Sequence, residues 1–381
     1  ALGELVRQHA LIPWGRGYRV PVVATPQRAS AILAIGCGTT ECLRLVTERT
    51  VESVSTLERE CANRHLALRT APVYFDQDGT QYGEEVHRLV TDGAAARGIL
   101  GCVFFAAALS TQTSEDTLSM LVRGGAPVAV IDEASAAQLA PRPAAHRTCV
   151  FAPAYGVTCG QAIGRLLAQL GHRHVAFITA YPDQDWARRR YEGLDRALRP
   201  TGDGEPVRFV TVVRHTERAY LDVLDPAKSI RDSSELLEAM HTYRPLARGL
   251  TWPEQQMDIL VASYAPWKHN WAILDQLLAD SRITAWVADN DPTALACQSF
   301  LERRGVGVPE RLSLAGFDDG NFALVNNLTS YNFNCRAVMI AALHHILAPP
   351  PGRPDRPGPS RIEIEGYIAQ RRTTGPAPQR A

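Results

Sequence analysis

The sequence predicts an α/β protein of two lobes, each built on a doubly wound, mainly parallel sheet. Three observations carry this. Residues 283–329, ITAWVADNDPTALACQSFLERRGVGVPERLSLAGFDDGNFALVNNLT, read as strand, helix and strand. Trp286 and Val287 lie in a short apolar strand ending at Asp289-Asn290-Asp291, and the helix after it offers Leu295, Phe300 and Leu301 to a core. Gly305 supplies the left-handed cap, and Leu312 to Ala315 form the second strand, ending at Gly316-Phe317-Asp318-Asp319. The same alternation of strands and helices recurs from Ala31 to Asp132, which requires parallel strands with helical crossovers. Finally, 381 residues at 45% hydrophobic and 21% charged make an ordinary globular composition, long enough for two cores.

Taken in order, residues 1–21 begin with Leu2, Leu5 and Val6, which fit the end of a helix. Leu11-Ile12 follows as a strand, and Gly15-Arg16-Gly17 as a tight hairpin leading to Tyr18 and Val20. This resembles the last part of a GntR-type winged helix, with Arg7, Arg16 and Arg19 as the DNA-contacting cations opposed only by Glu4; a generic N-terminal hairpin is the alternative. Val22 to Ser30 is the expected linker. Strands are expected at Ala31–Gly36, within Leu66–Phe75, at Ile99–Phe105 and at Val128–Ile131, and helices over 46–63, 84–96 and 115–122. The first strand runs into Cys37-Gly38-Thr39-Thr40, where Thr39 is a ligand candidate or part of a plain turn, and the fourth ends at Asp132.

The second half continues with a helix over Gly156–Leu170, the strand motif GHRHVAFI, and a polar loop from Tyr181 to Trp186 before Arg190-Tyr191-Glu192-Gly193. Residues 200–257 form an atypical insertion, with a strand expected at Val207–Val213 and a helix at Ser234–Tyr243. A strand at Asp258–Ala262 and a helix over Trp267–Leu278 return to the pattern. Trp267 and Asn270 open that helix, and an aromatic there either stacks on a sugar or packs in the core. A helix over Arg336–Leu347, a Pro/Gly connector from Pro349 to Pro359 and a strand at Ile362–Ile364 precede the closing AQRRTTG.

Several of these motifs together resemble the effector-binding part of the LacI/GalR family of bacterial transcription regulators. They are Asn290-Asp291 with Ala294, Gly305, Val308-Pro309, Gly316 to Asp319, Leu328-Thr329, the Gly171-His172 strand start, Arg190 with Gly193, and the closing Arg-x-Thr-Thr-Gly; Ala296 departs from the family's usual Gly. The resemblance covers about residues 31–199 and 258–375. It implies a periplasmic-binding-protein-like type I fold, with a first lobe of residues 31–154 and 294–328 and a second of 155–293 and 329–375. It also implies a small polar effector, sugar-like, held between the lobes near Arg190, Asp291 and Asp132; the residues themselves add Trp267, Thr39, Trp186, Asn270 and Asp318 as candidates. Guanidinium donors and carboxylate acceptors suit vicinal hydroxyls. The partners implied are operator DNA, bound through a complete N-terminal domain, and a second copy of the chain.

Composition narrows the alternatives. Lys and Arg total 40 against 40 Asp and Glu, so the chain as a whole lacks the basic excess of a surface that grips nucleic acid by itself. Eight cysteines (Cys37, Cys42, Cys61, Cys102, Cys149, Cys159, Cys297, Cys335) occur singly, without zinc-ligand spacing, which fits buried free thiols in a reducing cytoplasm. No apolar run reaches membrane-spanning length and no signal peptide is visible, so a cytoplasmic regulator with no cofactor or metal is expected. A secreted sugar-binding protein of the same fold is the second reading. An enzyme is the third, disfavoured because no GxSxG, P-loop or GxGxxG motif occurs.

Overall fold

The computed structural model describes residues 12–14, 17–19, 31–37, 48–76, 79–106, 111–132, 147–199, 207–212, 270–348 and 360–379. Near the N-terminus, β1 (Ile12–Trp14) and β2 (Gly17–Arg19) pair as an antiparallel hairpin, with Trp14 opposite Gly17. The expected helix over 234–243 and strand over 258–262 lie outside the described residues, as do Arg7, Arg16, Thr39 and Trp267.

The first lobe is a seven-stranded sheet in the order β14-β8-β7-β6-β3-β4-β5. Its strands are β3 (Ala31–Cys37), β4 (Ala67–Asp76), β5 (Gly79–Tyr82), β6 (Ile99–Phe105), β7 (Val128–Ile131), β8 (Thr148–Pro153) and β14 (Ser360–Ile364). All neighbours are parallel except β4 and β5, which form a hairpin. Helices α1 (Glu48–Asn63), α2 (Glu84–Asp92) and α3 (Thr111–Arg123) cover it. Buried Leu57 and Cys61 on one face, and Val86, Leu89, Leu118 and Leu121 on the other, meet the strand side chains. Parallel sheets are buried on both faces, which explains the continuous apolar runs ILAI and VFF.

The second lobe is a six-stranded sheet, β10-β9-β11-β12-β13-β15. It is built from β9 (Val175–Thr179), β10 (Val207–Thr211), β11 (Ala285–Ala288), β12 (Ser313–Phe317), β13 (Thr329–Asn332) and β15 (Tyr367–Ala369), parallel but for the β13–β15 pair. Its larger helices are α4 (Val157–Gln169), α5 (Asp185–Leu198), α6 (Trp271–Ala279) and α7 (Asp291–Arg303). The short α8 is Asn321–Val325. Trp286 and Phe300, both fully buried, stack at 6.1 Å between ring centroids. Burying side chains of this size contributes about 1.5–3 kcal/mol each.

The lobe boundaries differ from those the sequence suggests. Residues 294–328, expected in the first lobe, belong to the second, because β11 pairs directly with β12 and α7 packs on that sheet. Conversely, α9 (Cys335–Leu347) and β14 belong to the first lobe: Val338, Met339, Ala342, Leu343 and Ile346 fill its core, and β14 pairs with β8. Among the described residues the chain therefore crosses between lobes at 154–156, 333–334 and 365–366. Strands β8, β13 and β15 were not anticipated. In addition, α5 begins at Asp185, so Trp186 lies in its first turn and not in a loop.

Two glycines set the packing of α4 on α5. A Cβ on Gly160 would meet Arg190 O at 2.0 Å, and one on Gly193 would meet Val157 O at 2.1 Å. The two helix backbones touch, and no flexible side-chain end could yield. Gly193→Ala should therefore separate the helices and lower stability by about 1–3 kcal/mol or more, read as a lower urea midpoint, whereas Ala162→Gly, at a half-buried position of α4, should cost about 1 kcal/mol.

Candidate functional site

The parallel strands of the second lobe all end on one edge, and the expected polar residues collect there. That edge carries Thr179 from β9, Asp289 after β11, Phe317-Asp318-Asp319 from β12 and Asn332-Phe333 from β13. Helices α5, α6 and α7 start at the same edge, since each follows or leads a parallel strand. Arg190, one turn into α5, sits at its centre and is only 2% exposed. Its Nε donates to Tyr155 O at 3.3 Å, and Nη1 makes a short hydrogen bond to Asp289 O. The guanidinium carbon lies 4.6 Å from the Trp186 ring centroid, 4.7 Å from Phe317 and 4.9 Å from Phe333. Ring faces at these distances attract the guanidinium through their π electrons.

Beside it, Asp289 is fully buried. Its Oδ2 accepts from Thr179 Oγ1 at 2.6 Å and from the Ala180 amide at 3.0 Å. Burial pushes this carboxyl up to about 6, against the pull of Thr179, Thr293 and Arg190. Sequence reasoning passed over Asp289 in favour of its neighbours, and the available signal was its place one residue beyond an apolar strand. Asn290 caps α7, its Oδ1 accepting from the Thr293 amide at 2.8 Å.

Asp291 is committed to the protein and not to an open cleft. It is 2% exposed; Oδ2 accepts from the Gly320 amide at 3.0 Å and Oδ1 from Ser330 Oγ at 2.6 Å. Burial, then the negative charge of Asp318, raises its carboxyl well above the ordinary range, against the hydrogen bonds from Ser330 and Gly320. Gly316 makes room for it, since a Cβ there would stand 2.6 Å from Asp291 Oδ1. The sequence expectation that Asp291 grips a ligand hydroxyl thus meets a carboxylate already held from both sides. Asp318, half-buried, stands with it at the end of β12.

The first lobe faces this edge through α1. Glu52 of α1 is exposed, yet partial desolvation of its carboxyl and then the charge of Asp319 raise its pKa, which puts the 318–319 turn within electrostatic reach of the first lobe. Asp132, at the end of β7 and 1% exposed, is not joined to Arg190 or Asp318 by any hydrogen bond among the described residues. Its Oδ2 pairs with Arg361 Nη1 of β14 at 2.9 Å. Trp186 is half-buried, 5.4 Å from the Tyr181 ring. Asn270 is fully buried at the start of α6. Arg19 ends β2 in the N-terminal hairpin.

The lobe crossings are stitched to each other and to Arg190. The Ala154 amide donates to Ile364 O at 3.0 Å, Asn334 Nδ2 to Glu365 O at 3.4 Å, and the Gly366 amide to Tyr331 Oη at 2.9 Å. Tyr155 and Phe333, from two different crossings, have ring centroids 4.6 Å apart. The guanidinium therefore bonds one crossing and stacks on a residue of another.

Other sequence motifs have structural partners. His172 of the GHRHV start is buried, Nδ1 2.8 Å from Thr284 Oγ1 and Nε2 3.1 Å from Gly375 O, which joins it to the closing TTG. Cys61, Cys102, Cys149, Cys159, Cys297 and Cys335 are buried free thiols, and burial holds Cys159 at about 11. No group of three or more His, Cys, Asp or Glu that could hold a metal occurs among the described residues. Nor is any helix among them long and apolar enough to cross a membrane.

Asp289 generates a pH test. Its folded-state pKa is raised, so its contribution favours the fold below the ordinary carboxylate range, near 3.8, and is lost as pH climbs toward about 6. Asp289→Asn keeps an acceptor for Thr179 and Ala180 and removes the charge. The stability of this variant relative to the wild type should rise between pH 4 and pH 7, by up to about 3 kcal/mol. Urea titrations across that range would show it, and a constant difference would mean that Asp289 is not destabilised by burial.

Residues 242–374 match the model of a periplasmic binding protein-like domain family. No curated protein matches the chain in sequence. Among solved structures the chain is similar to a LacI transcriptional regulator from a Rhodococcus species, at 17% identity and a TM-score of 0.53, covering 91% of this chain and 100% of that one. It is similar to a LacI family regulator from Enterococcus faecium with bound ribose, at 15% identity and TM-score 0.50, covering 91% and 99%. The regulator CelR in complex with cellobiose is also similar, at 16% identity and TM-score 0.50, covering 91% and 86%. The chain thus has the two-lobed, periplasmic-binding-protein-like fold that these regulators share.

Proposed function

We propose that this chain is the effector-binding module of a cytoplasmic transcription regulator of the LacI type. In this reading it binds a small polar ligand, a sugar or sugar derivative, between its lobes and couples lobe closure to DNA binding by a homodimer. The observation that carries it is Arg190: a buried guanidinium under three aromatic rings at the strand-end edge, hydrogen-bonded to a lobe crossing. A sugar offers hydroxyls to N–H donors and an apolar ring face to an aromatic such as Trp186. Ligand contact with Arg190 would act on the Tyr155 crossing through one hydrogen bond. Ligand can favour closure only to the extent that it binds the closed arrangement better. The fold neighbours bound to ribose and to cellobiose support a carbohydrate. The β1–β2 hairpin supports a winged-helix DNA-binding unit, with Arg19 opposite Ile12 on its second strand.

Thermal-shift and tryptophan-emission titrations with mono- and disaccharides, ribose and cellobiose included, test the reading. A binding sugar should shift the emission of Trp186 and lose about ten- to a hundredfold in affinity in Arg190→Ala, the worth of a charged hydrogen bond. Unchanged affinity in that variant would remove Arg190 from the site. Sedimentation at micromolar concentration should give a two-fold dimer, as a palindromic operator requires, and a monomer would favour a solute-binding protein instead.

A further inference from the structure

Of the residues at the three lobe crossings, only Asn334 has a positive φ, with φ 55° and ψ 43°. It is also the N-cap of α9. An N-cap residue ordinarily has an extended backbone and turns its side-chain oxygen onto an amide of the first helical turn, and asparagine is among the best residues for this. Asn334 does neither: its backbone is left-handed and its side chain makes no cap bond to α9. Instead Nδ2 donates to Glu365 O of the third crossing at 3.4 Å, and the Asn334 amide donates to Asn332 Oδ1 at 2.7 Å.

The surroundings give this conformation a lever. Phe333 and Cys335, on either side of it, pack in the core of the second lobe, whereas α9 fills the core of the first from Val338 onward. The third crossing lies hard against the second. A Cβ on Gly366 would stand 1.9 Å from Asn332 O and 2.6 Å from Tyr331 Cε1, and the Gly366 amide is held by Tyr331 Oη. A change of φ at Asn334 therefore swings α9 and the first-lobe core attached to it. Over the 13 residues of α9, about 20 Å of helix, a turn of about 20° carries the far end about 7 Å.

We propose that Asn334 is a two-state swivel between the lobes. In the observed state it is left-handed, and its side chain ties the second crossing to the third. In the other state its backbone is extended and Oδ1 caps the first turn of α9, accepting from the Arg336 or Ala337 amide. The side chain finds a partner in each state, so the two differ little in hydrogen bonding and differ in lobe angle. Asparagine suits both, because it tolerates the left-handed region and also caps helices well.

Spin labels at Ser55→Cys in α1 and Gln184→Cys before α5, both exposed positions, report the lobe separation by pulsed electron–electron double resonance. Cys37 and Cys42 are replaced by serine for this purpose, and the buried thiols are left in place. Asn334→Ser caps as well as asparagine but has neither Nδ2 nor the tolerance of positive φ. Relative to wild type, a second distance should therefore gain about five- to thirtyfold over the first. Asn334→Gly accepts positive φ freely and has no side chain to cap with, so it should keep the wild-type main distance. The wild-type distribution in Asn334→Ser overturns the proposal, as does a displaced main distance in Asn334→Gly. Should Asn334→Ser fail to fold, Asn334→Asp, which caps but cannot donate to Glu365 O, is read in its place. A residue that only packs or caps would change the urea midpoint in these variants without moving the distance. No effector enters the measurement, so its outcome is separate from that of the sugar titrations.

Discussion

Burying the guanidinium of Arg190 is the constraint on which the functional edge depends. A cation at 2% exposure would cost several kcal/mol if left without partners, so the elements around it must supply them. Tyr155 and Asp289 contribute carbonyls, and Trp186, Phe317 and Phe333 contribute ring faces. These five residues come from a lobe crossing, from the ends of β11, β12 and β13, and from the first turn of α5 itself. A parallel sheet is what allows segments so far apart in sequence to arrive at one point, because every strand ends on the same side. The close approach of α4 and α5 at Gly160 and Gly193 then fixes how deep α5 sits, and so how far Arg190 reaches.

The same edge separates two kinds of carboxylate. Asp289 and Asp291 are both buried and both shifted upward, but each is occupied by donors from its own lobe. They stiffen the framework. Asp318 and Asp319 stand on a turn of positive φ, with Asp319 neutralised by Arg371. Like charges placed this close are tolerated because protein donors surround them. The charge of Asp319 also helps to raise the carboxyl of Glu52 in the first lobe, after the effect of burial.

Much of this was legible in the sequence, for local reasons. The β11–α7–β12 unit carries its own strand ends, cap and turn within 283–329, and Asn290, Gly305 and the Gly-Phe-Asp-Asp turn stand where local geometry needs them. Arg190 and Gly193 were legible as a motif, and the structure adds why both are needed. What escaped was non-local. Strand β8 is six residues, TCVFAP, with proline at its end, and it becomes a strand by pairing with β7 and β14. Strands β13 and β15 are four and three residues long, too short for any periodicity to register. The return of α9 to the first lobe has no local mark at all: its apolar side chains fit either core, and only the partner surface decides. The hydrogen bonds of Asp291 were hidden for a related reason. An Asp beyond a strand reads as ligand-facing, yet its two donors, Gly320 and Ser330, lie 29 and 39 residues further on.

Arg190 also bears on how a ligand signal would leave the site. Its Nε is spent on Tyr155 O, and the Tyr155 ring rests on Phe333 of the next crossing. That crossing is bonded to the third through Asn334 and Glu365, while Gly366 is held by Tyr331 Oη. Lobe rotation must bend all of these together, since the hydrogen bonds join the segments near their middles. A group that tightens or loosens Arg190 therefore acts on the whole hinge and not on one strand of it. On the proposed effector-binding reading, a modest preference of a ligand for one arrangement of this hinge would become a shift in population between open and closed lobes.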